Sequence, residues 1–116
     1  PDRLAAHPAI AAAVAAIEAA PRADLRAADL ARRVGLSRSR FVHAFAEVTG
    51  ESFTAFRTRS VILAARRALA ATGEPIGAIA WRLGWRNQNY FATAFRRATG
   101  ETPSAYRRAV RVGAVP

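Results

Sequence analysis

The chain has 116 residues, of which 52% are hydrophobic, enough to fill the core of one domain or of two very small ones. It has no cysteine and only two histidines, which excludes disulfides, thiolate-bound metals and cysteine nucleophiles and argues against a histidine-bound zinc ion. All 18 basic residues are arginine, and with 8 acids they give a net charge of +10, which implies an anionic partner such as nucleic acid or an acidic surface.

The spacing of apolar residues predicts an all-α chain without strands. About seven helices are expected, and they cover residues 8–20, 27–34, 38–49, 52–71, 76–83, 87–99 and 102–111. A proline or glycine that ends a helix follows each of the first six, namely Pro21, Gly35, Gly50, Gly73, Gly84 and Gly100. The predicted organisation is a linker remnant, a first subdomain, a linker helix, a second subdomain and a tail, at 1–7, 8–51, 52–72, 73–112 and 113–116.

Apolar residues three and four positions apart mark the candidate core. On the third and sixth helices these stripes are Phe41, Phe45 and Val48, and Phe91, Phe95 and Ala98. On the long fourth helix they are Phe53, Phe56, Leu63, Ala64 and Leu69. Both tryptophans, Trp81 and Trp85, are expected to pack the second subdomain on the long helix. The predicted structural anchors are Phe41, Phe45, Trp85, Phe91 and Phe95.

Residues 30–57 and 79–107 repeat one pattern. An offset of 50 places Phe41 on Phe91 and Phe45 on Phe95, and the second copy carries one extra residue just after its glycine turn. Each copy is a short helix, a glycine turn and a longer helix. That is the plan of a helix-turn-helix unit, whose second helix enters a DNA groove. Two such units in a strongly basic chain predict DNA binding.

A long run of residues in the second copy, with partial support from the first, forms a recognisable pattern. The second copy contributes Ile79-Ala80, Gly84-Trp85, Asn87, Tyr90-Phe91, Phe95-Arg96, Gly100, Thr102-Pro103 and Tyr106-Arg107. The first contributes Leu30-Ala31, Gly35, Ser37, Phe41, Phe45 and Gly50. This pattern resembles the DNA-binding domain of AraC/XylS-type transcription regulators.

The resemblance implies two helix-turn-helix subdomains that bind double-stranded promoter or operator DNA in the cytoplasm, without a cofactor. It also implies RNA polymerase as a further partner and an upstream sensory or dimerisation domain. The chain starts at Pro1 without a methionine, so we expect it to be a piece of a longer protein.

The faces opposite the core stripes are the candidate DNA-reading surfaces. Base contacts are predicted for Ser39, Arg40, Val42, His43 and Ala46 in the third helix and for Gln88, Asn89, Ala92, Thr93 and Arg96 in the sixth. Glutamine and asparagine can bind adenine through two hydrogen bonds, arginine can bind guanine likewise, and apolar side chains can meet thymine methyls. Phosphate contacts, which position a protein without reading sequence, are predicted for Arg38, Arg86, Asn87 and Arg97.

The long helix, at roughly 30 Å, has the right size for two recognition helices on one face of DNA. Successive major-groove segments on that face lie roughly 34 Å apart. One chain can therefore read two segments.

Other functions also fit a basic helical chain. A protein-interaction module for an acidic partner would not need polar residues at matching positions in both copies, and non-specific nucleic-acid packaging needs only the charge. An enzyme is not expected, because no Ser-His-acid set or carboxylate pair stands out. No segment approaches the roughly 18 unbroken apolar residues that span a bilayer, so no membrane partner is expected.

Overall fold

Eight α-helices and no strand make up residues 2–114, the part of the chain that the computed structural model describes. In chain order they are Asp2–Ala5 (α1), Pro8–Ala19 (α2), Ala27–Arg33 (α3), Arg38–Thr49 (α4), Phe53–Ala71 (α5), Ile76–Arg82 (α6), Gln88–Thr99 (α7) and Pro103–Ala114 (α8). The seven predicted helices are all present, with ends close to the predicted ones. The all-α prediction is confirmed.

Helix α1 lies in the segment that the sequence predicts to be a linker remnant. Its single turn is held by tertiary contacts, because Leu4 packs against the core of the first unit and Arg3 Nη1 donates to Glu47 O at 3.2 Å. Four residues are too few to show a helical period. The segment that is predicted to be a linker remnant therefore contains one helical turn, Asp2–Ala5.

The described residues divide into two compact units at the Ser60–Val61 bond, within α5. The first unit is built around four phenylalanines, each at most 7% exposed. Phe45 lies 5.6 Å from Phe41, 5.8 Å from Phe53 and 5.3 Å from Phe56, measured between ring centroids. Edge-to-face rings at such distances add to the free energy of burial. The rest of this core is Ile10, Ala13, Val14, Ile17, Leu30 and Ala31.

The second unit repeats this arrangement with fewer aromatic rings. Phe95 is fully buried, 5.8 Å from Phe91 and 5.5 Å from Tyr106. Trp85 is half-buried and packs against Phe91 at 6.0 Å. The other buried apolar residues of this unit are Val61, Ile62, Ala65, Ala68, Leu69, Ile79, Ala80 and Leu83.

Three predicted core positions are wrong. Leu63 is 44% exposed and Trp81 is 73% exposed, while Ala98 is also exposed. Leu63 and Trp81 each lie two positions after a buried residue, Val61 and Ile79. Two residues turn a helix by about 200°, which places each side chain on the opposite face. Ala98 has the correct phase, but its methyl group is too short to reach the core that Val48 partly reaches in the first unit.

The segment after each recognition helix has the same geometry in both copies. Thr49 Oγ1 donates to Phe45 O at 2.7 Å, and Thr99 Oγ1 donates to Phe95 O at 2.8 Å. Gly50 and Gly100 follow with φ of 83° and 90°, a left-handed conformation that a side chain would strain. These segments therefore end α4 and α7, and their role is structural.

In each unit, an arginine of the helix after the recognition helix binds the segment that leads into the helix-turn-helix motif. In the first unit Arg57 Nη1 donates to Leu25 O at 2.8 Å. In the second unit Arg107 donates to three carbonyl groups, Leu69 O at 3.1 Å, Thr72 O at 3.2 Å and Glu74 O at 2.7 Å. Because each loop leads into α3 or α6, these bonds help to position the helices that support α4 and α7.

Candidate nucleic-acid interface

Helix α4 presents the predicted reading residues of the first unit on its solvent side. Ser37 Oγ accepts from Arg40 N at 3.2 Å and so caps the helix start. Phe41 and Phe45 turn inward, which leaves the opposite face to solvent. The predicted contacts there are all exposed or half-exposed, namely Arg38, Ser39, Arg40, Val42, His43 and Ala46.

The two ring nitrogens of His43 have different hydrogen-bonding roles on that face. Its Nδ1 lies 3.0 Å from Ser39 O, one helical turn earlier, so Nδ1 carries the hydrogen and donates to that carbonyl. In the neutral ring Nε2 is then a hydrogen-bond acceptor. In the major groove an acceptor matches the amino group of adenine or cytosine and faces repulsion from guanine O6.

Helix α7 presents the corresponding residues of the second unit. Asn89, Ala92, Thr93 and Arg96 follow the three- and four-residue spacing of one helix face, and all are exposed or half-exposed. Gln88 is also exposed, but a β-carbon at Gly77 would lie 2.8 Å from its Oε1. The Gln88 amide therefore lies against α6 in this conformation, so it has to rotate before it can reach a base.

Two of the three predicted phosphate contacts of the second unit, Arg86 and Asn87, lie at the start of α7. Asn87 Oδ1 accepts from Asn89 N at 2.6 Å, so the cap occupies the oxygen and leaves the Asn87 amide nitrogen as a donor. Arg86 is exposed and is the extra residue of the second copy, because Leu36 N and Trp85 N make equivalent bonds, to Ala31 O and Ala80 O, just before it. Arg97 is exposed in the last turn of α7, more than two turns further along.

The positive charge is distributed unevenly between the units. Each has nine arginines, but the first has six acids and the second has two, Glu74 and Glu101. Asp24 pairs with Arg22 at 2.9 Å and Glu74 with Arg82 at 2.7 Å. The hydrogen bond from each arginine holds the pKa of its carboxyl below the usual value, so both carboxylates stay ionised at neutral pH. The larger positive excess of the second unit should attract phosphates more strongly.

The exposure of two aromatic residues is not predicted by the sequence analysis. Tyr90 is 68% exposed on α7, and its spacing from Thr93 and Arg97 places it beside them. Helical spacing could have revealed it. Trp81 is exposed on α6 at the position that Arg32 occupies in the first copy, and nothing in the sequence distinguishes it from a core tryptophan.

The described residues contain no group of three or more histidine, cysteine, aspartate or glutamate side chains placed to hold a metal ion. Among the helices in that part of the chain, none combines the length and the apolar character that crossing a membrane requires.

Sequence comparison places the chain among DNA-binding regulators. Residues 30–109 match the family described as "Helix-turn-helix domain". The Arabinose operon regulatory protein of Escherichia coli is 35% identical over 80 residues, 69% of this chain and 27% of that protein. Regulatory protein PocR of Salmonella typhimurium is 34% identical over 93 residues, 80% of this chain and 31% of that protein. The chain therefore spans less than a third of either relative.

Solved structures agree with the sequence match. The C-terminal domain of AraT, a response regulator from Geobacillus stearothermophilus, is 31% identical with a TM-score of 0.83, covering 88% of this chain and 85% of that one. The DNA-binding domain of AdpA, solved in complex with a target DNA, is 28% identical with a TM-score of 0.84, covering 90% of this chain and 95% of that one. This chain belongs to the AraC-type helix-turn-helix DNA-binding domains, a non-enzymatic family of sequence-specific transcription regulators.

Proposed function

We propose that this chain is the DNA-reading output domain of a longer cytoplasmic regulator, with α4 and α7 in two successive major-groove segments. The observation that carries the proposal is the pair of exposed polar faces, one on each helix that follows a helix-turn-helix turn. A module that only binds proteins has no need for base-compatible side chains at matching positions of both copies. Sensory or dimerisation functions belong to sequence upstream of this chain, and RNA polymerase is a further partner.

We assign base reading to Ser39, Arg40, Val42, His43, Ala46, Gln88, Asn89, Ala92, Thr93 and Arg96, and phosphate contact to Arg38, Arg86, Asn87 and Arg97. The two units should read DNA differently. Helix α7 offers amide and guanidinium groups that bind bases through two hydrogen bonds, whereas α4 offers fewer donors and more methyl surface. The half-site of α7 should therefore have the sharper base preference.

Selection of binding sites from a randomised duplex pool tests the proposal. The expected result is a bipartite motif protected over roughly 15–20 base pairs by one chain, because each unit covers one major-groove segment. Equal retention of random and selected duplexes would support non-specific packaging. Protection of only about 8 base pairs by a verified monomer would show that a single unit engages DNA.

Replacing Arg96 and Arg38 should separate base reading from phosphate binding. Arg96→Ala should cost about 1–3 kcal/mol of binding free energy and relax one base position, if Arg96 reads a guanine. Arg38→Ala should weaken all duplexes by a similar factor, because a phosphate contact carries no sequence information. The measurement is a repeated selection with each variant. An unchanged motif for Arg96→Ala together with an altered motif for Arg38→Ala would reverse the two roles.

A further inference from the structure

A groove borders the proposed reading face of the first unit. It is open to solvent, has a volume of about 390 Å³, and is lined by the turn before α2, by Leu36 and by one side of α4. His7 supplies the wall from the turn, and Ser39, Arg40 and His43 supply the wall from α4. Because these three α4 residues are also proposed base contacts, the groove continues the DNA-facing surface towards the N-terminal segment.

His7 is built into this position. Its backbone N–H donates to Leu4 O at 3.1 Å, and its carbonyl accepts from Ala11 N at 3.0 Å. Helix α1 is itself anchored, by the packing of Leu4 on the core and by the bond from Arg3 to Glu47 O. The His7 ring is half-buried, so its place beside α4 is fixed before any ligand arrives.

The two nitrogens of the His7 ring differ in hydrogen-bonding role. Nδ1 is buried and has no hydrogen-bond partner among the described residues. A buried N–H without an acceptor costs free energy. The neutral tautomer with its hydrogen on Nε2 avoids that cost and makes Nε2 the donor of the ring. In His43, which lines the same groove, the two nitrogens have the reverse roles, since its Nδ1 is the donor to Ser39 O.

We infer that this groove extends the DNA interface, with His7 Nε2 donating a hydrogen bond to a phosphate oxygen beside the half-site of α4. The inference rests on the proposed function and adds a contact outside the two helix pairs, α3–α4 and α6–α7, that form the helix-turn-helix motifs. Ser39 and Arg40 line the groove from the first turn of α4 and favour an anion there. Glu47 lies about 12 Å further along α4 than Ser39 and repels one, so the phosphate belongs at the Ser39 end.

The test compares His7→Phe with His7→Gln. Phenylalanine keeps the ring and its packing but removes the donor, and glutamine keeps an amide donor near the position of Nε2. DNA affinity should fall about 5- to 10-fold for His7→Phe, by the same factor on selected and random duplexes, and should remain near the parent value for His7→Gln. The melting temperature of His7→Phe should not fall, because the unpaired Nδ1 is also removed.

Phosphate ethylation interference locates the contact. The parent should be sensitive to ethylation of one phosphate flanking the α4 half-site, and His7→Phe should lose that sensitivity. Unchanged affinity of His7→Phe for a duplex that the parent binds would overturn this inference alone, and so would a loss matched by a lower melting temperature. Failure of the parent to bind any duplex would instead remove the proposed function. Binding of millimolar inorganic phosphate at His7, with no change in DNA affinity for His7→Phe, would show a free-anion site.

Discussion

DNA binding by this chain should weaken about 10³- to 10⁴-fold when salt is raised from roughly 50 to 200 mM. Each phosphate that an arginine neutralises releases counterions, and about 6–8 such contacts give a slope of log K against log salt of about −5 to −7. Fluorescence anisotropy with a labelled duplex over this salt range measures the slope. A flat response would contradict DNA binding and favour a protein-interaction module.

A matched pair of arginines sharpens that measurement. Arg97→Ala should reduce the magnitude of the slope by about 0.9, because it removes one phosphate contact. Arg108 is also exposed in the second unit, on α8, but lies outside the proposed contacts. Its alanine variant has the same net charge as Arg97→Ala and should leave the slope unchanged. Equal slopes for the two variants would show that overall charge, and not a defined contact set, determines affinity.

Phe45→Ala and Phe95→Ala should each lower the free energy of unfolding by about 3–5 kcal/mol. Both rings are fully buried, and each packs against further aromatic rings of its own unit. A domain of this kind holds about 5–15 kcal/mol in total, so either change approaches unfolding. Phe45 has three aromatic neighbours and Phe95 has two, which places the larger loss in the first unit.

Urea unfolding followed by circular dichroism measures these losses, with Trp81→Ala as the control. Trp81 is a large aromatic residue that is 73% exposed, so its removal should change stability by at most about 0.5 kcal/mol. Phe45→Ala and Phe95→Ala variants that unfold at the parent's urea concentration would contradict the burial of these rings. A large loss for Trp81→Ala would show that its surface is covered in solution.

Local signals in the sequence determined the fold and the two recognition helices. The bounds of α4 were predicted as they stand, because Ser37 and Gly50 mark its ends by cap chemistry that involves only neighbouring residues. The burial of Phe41, Phe45, Phe91 and Phe95 follows from a period of 3.6 residues and from the repeat itself. A resemblance that covers both copies pointed to the same function.

The tertiary structure decided which apolar stripe is covered and how the side chains at the site are oriented. The periodicity of a helix indicates which apolar residues share a face, but that face is buried only where a neighbouring element covers it. For this reason the predicted burial of Leu63 and Trp81 is wrong. The bonds from Arg107 to the loop before α6, and the groove beside His7, join residues far apart in the chain. The sequence alone determined that two helices are presented for DNA reading. Contacts between separate elements determined the position of Gln88 against α6 and the surroundings of His7, since neither depends on a local pattern.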